Sequence, residues 1–515
     1  MPFRGQDTRI ATVTRFAWLF TCLLLGAACV NAQLALRWAA DPNSNAPYSF
    51  YGPGKTLTGF EFEIIGAVAR RLGRRAEFVQ NDWNGLIPGL HRGLYDCVIC
   101  GIEITPDKAD VVNFSLPYYF TFEQYVARRG TPPITSLDQL RNRTIGTLDQ
   151  TAALKMLEST PGVTAKTYDQ EMNAYQDVVN RRLDGVLLDF PIAKYYAAPN
   201  PELELCGPPF GRIAYGIAVE KNNAALQQLI DGALRDLITS GELRTILSRW
   251  GLWTDTVAYG LGQPVEPAAP DSEYRLFVST ITSQADVWSR FRSYADAGPL
   301  LLHAAFLTLA ISASSMVVAI TTGFLLAICR VFGPLPIRWL STSYIELIRG
   351  TPLLIQLLFI FYGLPNIGIR LSPFVASVVG LGLNYAASEA EIYRAGILSV
   401  SIGQWHAAYA LGLTRMSALR LIIVPQAVRL ILPPVTNDFI ALLKDSSLVS
   451  ALTIMELTGA YNRLATQTFD YFGAGLVVAL LYFIIGLPFA RLARSLEKRH
   501  GKESIAESLR FRVFR

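Results

Sequence analysis

Cysteine is scarce in this 515-residue chain, at 6, and no pair of cysteines has the spacing of a disulfide framework. Cys22 and Cys29 fall in an N-terminal leader and Cys329 ends an apolar run, which leaves Cys97, Cys100 and Cys206. Cys97-Val98-Ile99-Cys100 has the C-x-x-C form, but residues three apart in a strand face opposite sides. Burial is the reading for these thiols, and no metal is expected. Charge is also thin, at 17% of residues with a net +5, and much of the excess lies in Arg491, Arg494, Lys498, Arg499, Lys502, Arg510, Arg512 and Arg515. A basic tail behind a last apolar span follows the positive-inside bias, so nucleic acid is not an expected partner. A phosphate-cradling loop is missing too. Gly54-Lys55-Thr56 has the end of one, but Ser49 stands where the first glycine belongs and no helix is predicted to follow. No nucleotide cofactor and no catalytic residues are expected.

What is present is divided unevenly. A mean hydropathy of +0.29 is too apolar for a soluble protein and too polar for a purely membrane one. Most charge precedes residue 300, and most long apolar runs follow it. Arg4, Arg9 and Arg15 precede the uncharged run Phe16–Val30 and then Asn31-Ala32. This pattern predicts a signal peptide over 1–32, cleaved after Ala32, with an uncleaved anchor as the alternative. A lipoprotein site at Cys29 is weaker, because Gly26 replaces the usual aliphatic residue. Either way the next segment is delivered outside the cytoplasm. Residues 33–255 alternate strand-like and helix-like segments, which predicts an α/β domain long enough for two lobes. Residues 256–298 loosen into a linker with the proline-rich stretch Gln263–Asp271, and 285–296 suits an amphipathic approach to a bilayer.

From 299 to 499 the chain reads as membrane spans. Ala297–Cys329, Gly350–Ile369, Leu371–Ser388 and Tyr471–Ala490 contain no Asp, Glu, Lys or Arg. A further span near 421–443 holds Arg429 and Asp438, and the second extends back over Glu346 and Arg349. About five spans are expected, since each needs about 20 apolar residues. Odd parity then places the tail, 500–515, in the cytoplasm.

Several phrases in the first half, in order and spacing, carry a resemblance. They are Gly59-Phe60-Glu61-Phe62-Glu63, Trp83-Asn84-Gly85-Leu86-Ile87-Pro88-Gly89-Leu90, Gly101-Ile102-Glu103-Ile104-Thr105, Phe114-Ser115-Leu116-Pro117-Tyr118-Tyr119, Ile145-Gly146-Thr147 and Leu183-Asp184-Gly185 with Asp189. The region resembles the type II periplasmic binding proteins for polar amino acids. That resemblance implies two lobes joined by crossing strands near Gln124–Arg128 and Ala214–Val219, closing on an amino acid in the cleft. It implies Asp189 for the ligand ammonium, with an N-cap role as the structural alternative, Gly101 and Thr151 near the ligand carboxylate, and Tyr48 and Trp83 over its flanks. An amino acid leaving water needs both charges paired. Two departures stand out. The family's carboxylate-clamping arginine is Lys108 here, which keeps the charge and loses the bidentate fork. Glu103 replaces a small hydroxyl residue, and either neutralises Lys108 or holds a cationic group on the ligand. The expected ligand is a polar or cationic amino acid or a close analogue.

The second half resembles the permeases of polar amino-acid ABC importers. The matching segments are Tyr344–Gln356, Glu391-Ile392-Tyr393-Arg394-Ala395-Gly396-Ile397 and Leu443-Lys444-Asp445-Ser446-Ser447-Leu448. Trp405-His406-Ala407-Ala408 and Gly412, followed by Ile422, Val424 and Pro425, resemble the loop through which such permeases engage an ATPase. Its usual glutamate is His406 here. Glu346, Arg349, Arg429 and Asp438 are candidates for the transport path or for structural pairs. Together the resemblances imply a type I ABC importer, with receptor and permease fused in one multi-pass inner-membrane chain. They further imply a homodimer of the permease part, separate ATPase subunits and a periplasmic receptor domain. Two rivals differ in kind. A ligand-gated channel of glutamate-receptor type would interrupt the binding domain with its pore and show a filter motif. An enzyme on the binding-protein fold would have no use for a docking loop across the membrane.

Overall fold

The computed structural model describes residues 34–513 apart from 44, 53–55, 266–269, 284–291, 293 and 469. The leader, Gly54, Lys55, the middle of the proline-rich stretch and most of 285–296 lie outside the described residues. In the first lobe, Ala35–Ala40 runs parallel to Arg75–Gln80 on one side and to Cys97–Val98 on the other. Parallel neighbours need a crossover, supplied here by the helix Phe60–Arg71, which buries Phe60, Ile64, Ile65 and Val68. Ala218–Glu220 returns antiparallel between Cys97–Val98 and Val112–Phe114.

The second lobe is built on the ten-residue strand Tyr119–Arg128. Gly185–Asp189 pairs antiparallel along one side of it, and Leu203–Leu205 and Phe210–Tyr215 pair along the other. Thr144–Leu148 and Thr164–Tyr168 extend the sheet in parallel beyond Gly185–Asp189. The return crossing falls between Tyr215 and Ala218, inside the expected segment. The outgoing one does not. It lies between Phe114 and Tyr119, so Gln124–Arg128 is deep in the second sheet. Pro117 explains the difference, since proline lacks the N–H a central ladder requires. Both lobes are complete before Gly298, where the first long apolar helix among the described residues begins.

The expected linker contains a helix packed on the first half. The helix Ser272–Ser283 lays Phe277 against Phe50 and Tyr195, with ring centroids 5.7 and 4.9 Å apart. Another contact joins the two halves of the chain. Arg92, buried in the first lobe, donates to the Leu371 carbonyl at 2.9 Å and lies 3.6 Å over the Phe361 ring.

By length and composition Gly298–Phe332, Arg415–Leu452 and Tyr471–Ser495 are each able to cross a membrane. Leu335–Arg349 with Leu353–Ile367 makes a fourth candidate, bent by 107°. The bend sits at Gly350-Thr351-Pro352, where proline interrupts the helical donors. Gln356 repairs the break: its amide donates to the carbonyls of Ile348 at 2.7 Å and Thr351 at 3.2 Å, and accepts from Asn384 at 3.0 Å. The second expected span is therefore two helical pieces, not one rod reaching back over Glu346. The expected span Leu371–Ser388 is the front of the 27-residue helix Pro373–Ser399. This helix is long enough, at about 40 Å, but diluted by Asn384, Glu389, Glu391 and Arg394. Thirteen of its residues are buried by neighbouring elements. A helix wrapped in protein has less need of an apolar surface than one facing lipid.

Candidate functional site

The cleft is assembled from both crossings. Gly59, at φ 132°, starts the helix Phe60–Arg71, and a Cβ there would lie 2.0 Å from the Tyr48 carbonyl. Only glycine permits that approach, through which Glu61 N–H meets the Tyr48 carbonyl at 3.1 Å. Tyr48 is thereby held with its hydroxyl 3.0 Å from Asp189 Oδ2 and 3.1 Å from the Tyr215 hydroxyl. Tyr215 also donates to Asp189. Asp189 ends its strand, and its side chain caps no helix, so the N-cap alternative fails. Burial first, and the Glu103 charge second, push its pKa up to about 6, while the two tyrosine hydroxyls restrain the rise.

Glu103 answers the question its sequence position raised by doing two things at once. It pairs with Lys108 Nζ at 3.1 Å, with the two side chains 2% and 12% exposed. It also accepts the Ala152 N–H from the other lobe, at 2.9 Å to each oxygen. Its carboxylate further lies with those of Asp189 and Glu123, oxygens of the three within 4.8 Å of one another. Glu123 sits directly opposite Asp189 on the neighbouring strand, which puts both side chains on one face. It is fully buried, and neither oxygen makes a hydrogen bond. Burial and the charges of Asp189 and Glu103 hold its pKa well above the carboxylate range, with Ala153 N–H and Lys108 near enough to temper the shift. Three hard oxygen donors suit a divalent ion or an organic cation.

The remaining predicted cleft residues are close by but differently used. Thr151 spends its hydroxyl on its own helix, accepting from Leu154 N–H at 3.3 Å and donating to the Leu148 carbonyl at 2.9 Å. The Gly101 N–H is taken by Glu61 at 2.7 Å. Trp83 is part-exposed, donates across the cleft to the Asp149 carbonyl at 3.0 Å, and has Lys108 Nζ 5.8 Å from its ring. The lobes are closed on one another, since Ala46 N–H also reaches the Tyr196 hydroxyl at 2.9 Å and Lys155 pairs with Asp107. The residues missed from sequence are Glu123, Tyr215 and the Ala152 N–H. A signal for Glu123 existed: it is the one charge between Tyr118 and Ala127. Cys97, Cys100 and Cys206 are buried free thiols, as read.

In the second half, Ile402–Ala410 is a helix capped by Ser401, and Gly412 leaves it at φ 76°. Ala408 is fully buried, and Trp405 leans on Phe332 with centroids 6.3 Å apart. His406 and Ala407 face outward, beside Ile402 and Leu411, which are 72% and 77% exposed. Glu346 and Arg349 are exposed and, among the described residues, make no ion pair within this chain. The paired acid is Glu391, bridged to Arg330 and to Arg394 at 2.9 Å. Arg429 is exposed, and Asp438 is part-buried with one oxygen lacking a hydrogen-bond partner.

Comparison with known proteins agrees with this division. The model of bacterial extracellular solute-binding proteins, family 3, matches residues 36–252. The model of the binding-protein-dependent transport system inner membrane component matches residues 319–502. The L-cystine transport system permease protein TcyB of Bacillus subtilis is 35% identical over 209 residues, which are 40% of this chain and 89% of that one. The probable glutamine ABC transporter permease protein GlnM of the same species is 36% identical over 195 residues, 38% of this chain and 90% of its own. Among solved structures, a Salmonella typhimurium periplasmic binding protein with high arginine specificity is 28% identical, with a TM-score of 0.39, covering 42% of this chain and 99% of its own. The chain belongs to the ABC-transporter permeases of binding-protein-dependent transport, with a family 3 solute-binding domain fused ahead of the permease in the same polypeptide.

Proposed function

We propose that this chain captures a cationic amino acid or a close analogue outside the cytoplasm and forms half of the path for its ATP-driven import. In this reading 33–255 is the receptor, 256–298 the connection, 299–499 the permease and 500–515 a cytoplasmic tail. A signal over 1–32 delivers the receptor to the periplasm. The observation that supports the cationic ligand is the closed cleft, where Glu103, Glu123 and Asp189 converge beside a single lysine. Trp83 and Tyr48 supply aromatic faces for the stem of such a cation. Asp189, with its two tyrosine donors, takes the ammonium or guanidinium.

Closure of the lobes changes the surface offered to the permease, and a ligand favours the state for which it has the higher affinity. Two permease halves surround one path, so the chain works as a homodimer with two separate ATPase subunits. The outward surface of Ile402, His406, Ala407, Tyr409, Leu411 and Gly412, with Trp405 and Ala408 behind it, is the one on which an ATPase docks. Glu346, Arg349, Arg429 and Asp438 line or brace the path between halves. Completion of both lobes before Gly298 argues against a channel-type insertion. The test is uptake of radiolabelled arginine into vesicles holding the full chain with and without a co-expressed ABC ATPase. ATP-dependent accumulation is the expected result. Ion current without ATP, or chemical conversion of the ligand, would refute the proposal.

A further inference from the structure

The groups suited to a ligand carboxylate in this cleft are Lys108, the Ala152 N–H and the Thr151 hydroxyl. All three are already used inside the protein. Lys108 Nζ and Ala152 N–H both go to Glu103, and the Thr151 hydroxyl closes its own helix cap. Glu103 is 2% exposed and spans the two lobes, so a carboxylate belonging to the chain occupies the place where a ligand carboxylate would be received. A second anion there would meet Glu103 head-on, with Glu123 and Asp189 within reach. Glu123 is an independent sign of the complementary charge. It is fully buried, both oxygens lack partners, and it faces the same point as the other two acids. A buried acid in this setting keeps its proton until a cation approaches, and then pairs with that cation as the carboxylate.

We infer that the cleft selects an organic amine or guanidine whose carboxylate is absent or masked, over the free amino acid of the same skeleton. This rests on the import reading above and narrows its ligand. Glu103 acts as a built-in carboxylate that closes the lobes, and Glu123 with Asp189 receives the cationic end. Arginine itself would have to displace Glu103 from Lys108 and Ala152 and leave an extra buried acid unpaired.

The test is calorimetric titration of the purified full chain with arginine, arginine methyl ester, agmatine, glutamine and magnesium chloride. Agmatine and the ester are expected to bind at least about tenfold more tightly than arginine, a difference easily resolved in Kd. Glu103→Ala should reverse the order by freeing Lys108 and the Ala152 N–H, raising arginine affinity by about tenfold or more while lowering that of agmatine. Unfolding temperature checks that the variant is folded, and the wild-type series decides the matter without it. Arginine binding as tightly as agmatine would overturn this inference and leave the import of a cation standing. Glutamine binding with no response to any cation would overturn both. Magnesium binding alone would show a metal site and overturn the inference.

Discussion

Asp189→Asn should move stability and binding in opposite directions, by amounts that depend on pH. Asparagine still accepts from the Tyr48 and Tyr215 hydroxyls but removes a charge buried beside Glu103 and Glu123. The folded pKa of Asp189, about 6, lies above the ordinary 3.8, so the folded state holds the proton more tightly than the unfolded chain. For an acid shifted upward, the stability contribution is present below the unfolded pKa and is lost as pH rises through the folded one. The penalty from the ionised group is on the order of 3 kcal/mol at pH 8 and about 0.5 kcal/mol at pH 4. The variant should therefore unfold at a higher temperature at pH 8, by about 2–4 °C per kcal/mol for a domain of this size, and nearly with wild type at pH 4. Affinity for a cationic ligand should fall on the order of a hundredfold or more, since its buried counter-charge is gone. Thermal unfolding of the full chain at pH 4, 6 and 8, followed by tryptophan fluorescence, measures the first effect, and calorimetric titration the second. A shift in unfolding temperature equal at pH 4 and pH 8, or unchanged ligand affinity, refutes the reasoning.

The same titration predicts that cation affinity in the wild type rises about tenfold between pH 5 and pH 8, as Asp189 becomes fully ionised. A flat profile would mean Asp189 does not meet the cation. Arg92→Ala should loosen the contact between the first lobe and the permease half by about 2 kcal/mol, through loss of the Leu371 hydrogen bond and the Phe361 stacking. Faster hydrogen exchange around Leu371 at unchanged ligand affinity is the expected readout. Leu411→Asp, at a 77% exposed position, should change stability by less than about 0.5 kcal/mol and yet abolish ATP-dependent uptake. Retained uptake would remove the helix Ile402–Ala410 from the docking surface.

Much of this arrangement is legible in the sequence. Gly59, Tyr48, Trp83, Lys108, Thr151 and Asp189 lie around the cleft, because spaced phrases fix which strand ends and helix starts meet there. The helix Ile402–Ala410 was legible for the same reason, with small residues at 407 and 408 and glycine at 412. Glu123 was not, because pairing across a sheet depends on register, and register is a non-local property. Nor was the commitment of Thr151 to its own cap, since a hydroxyl starting a helix can face inward or outward. Lys108 and Glu103 were seen as departures, but a partner in the other lobe, Ala152, decides what Glu103 does. The spans are least legible where composition and environment part company. Pro373–Ser399 carries Asn384, Glu389, Glu391 and Arg394 on a helix enclosed by its neighbours, and Leu335–Ile367 is apolar yet does not run straight.

That elbow has a consequence for any lipid that reaches it. The Ile348 and Thr351 carbonyls have no helical donors left, and hydrocarbon offers none, so the Gln356 amide meets both, joined at Ile348 by the Thr351 hydroxyl at 3.3 Å. Asn384, on the enclosed helix, orients that glutamine. A leucine at 356 would suit the surrounding oil, strand the Thr351 oxygen in it and leave the Ile348 oxygen to one longer hydroxyl bond, so the wettest side chain at the corner is the one that lets the chain turn inside a membrane.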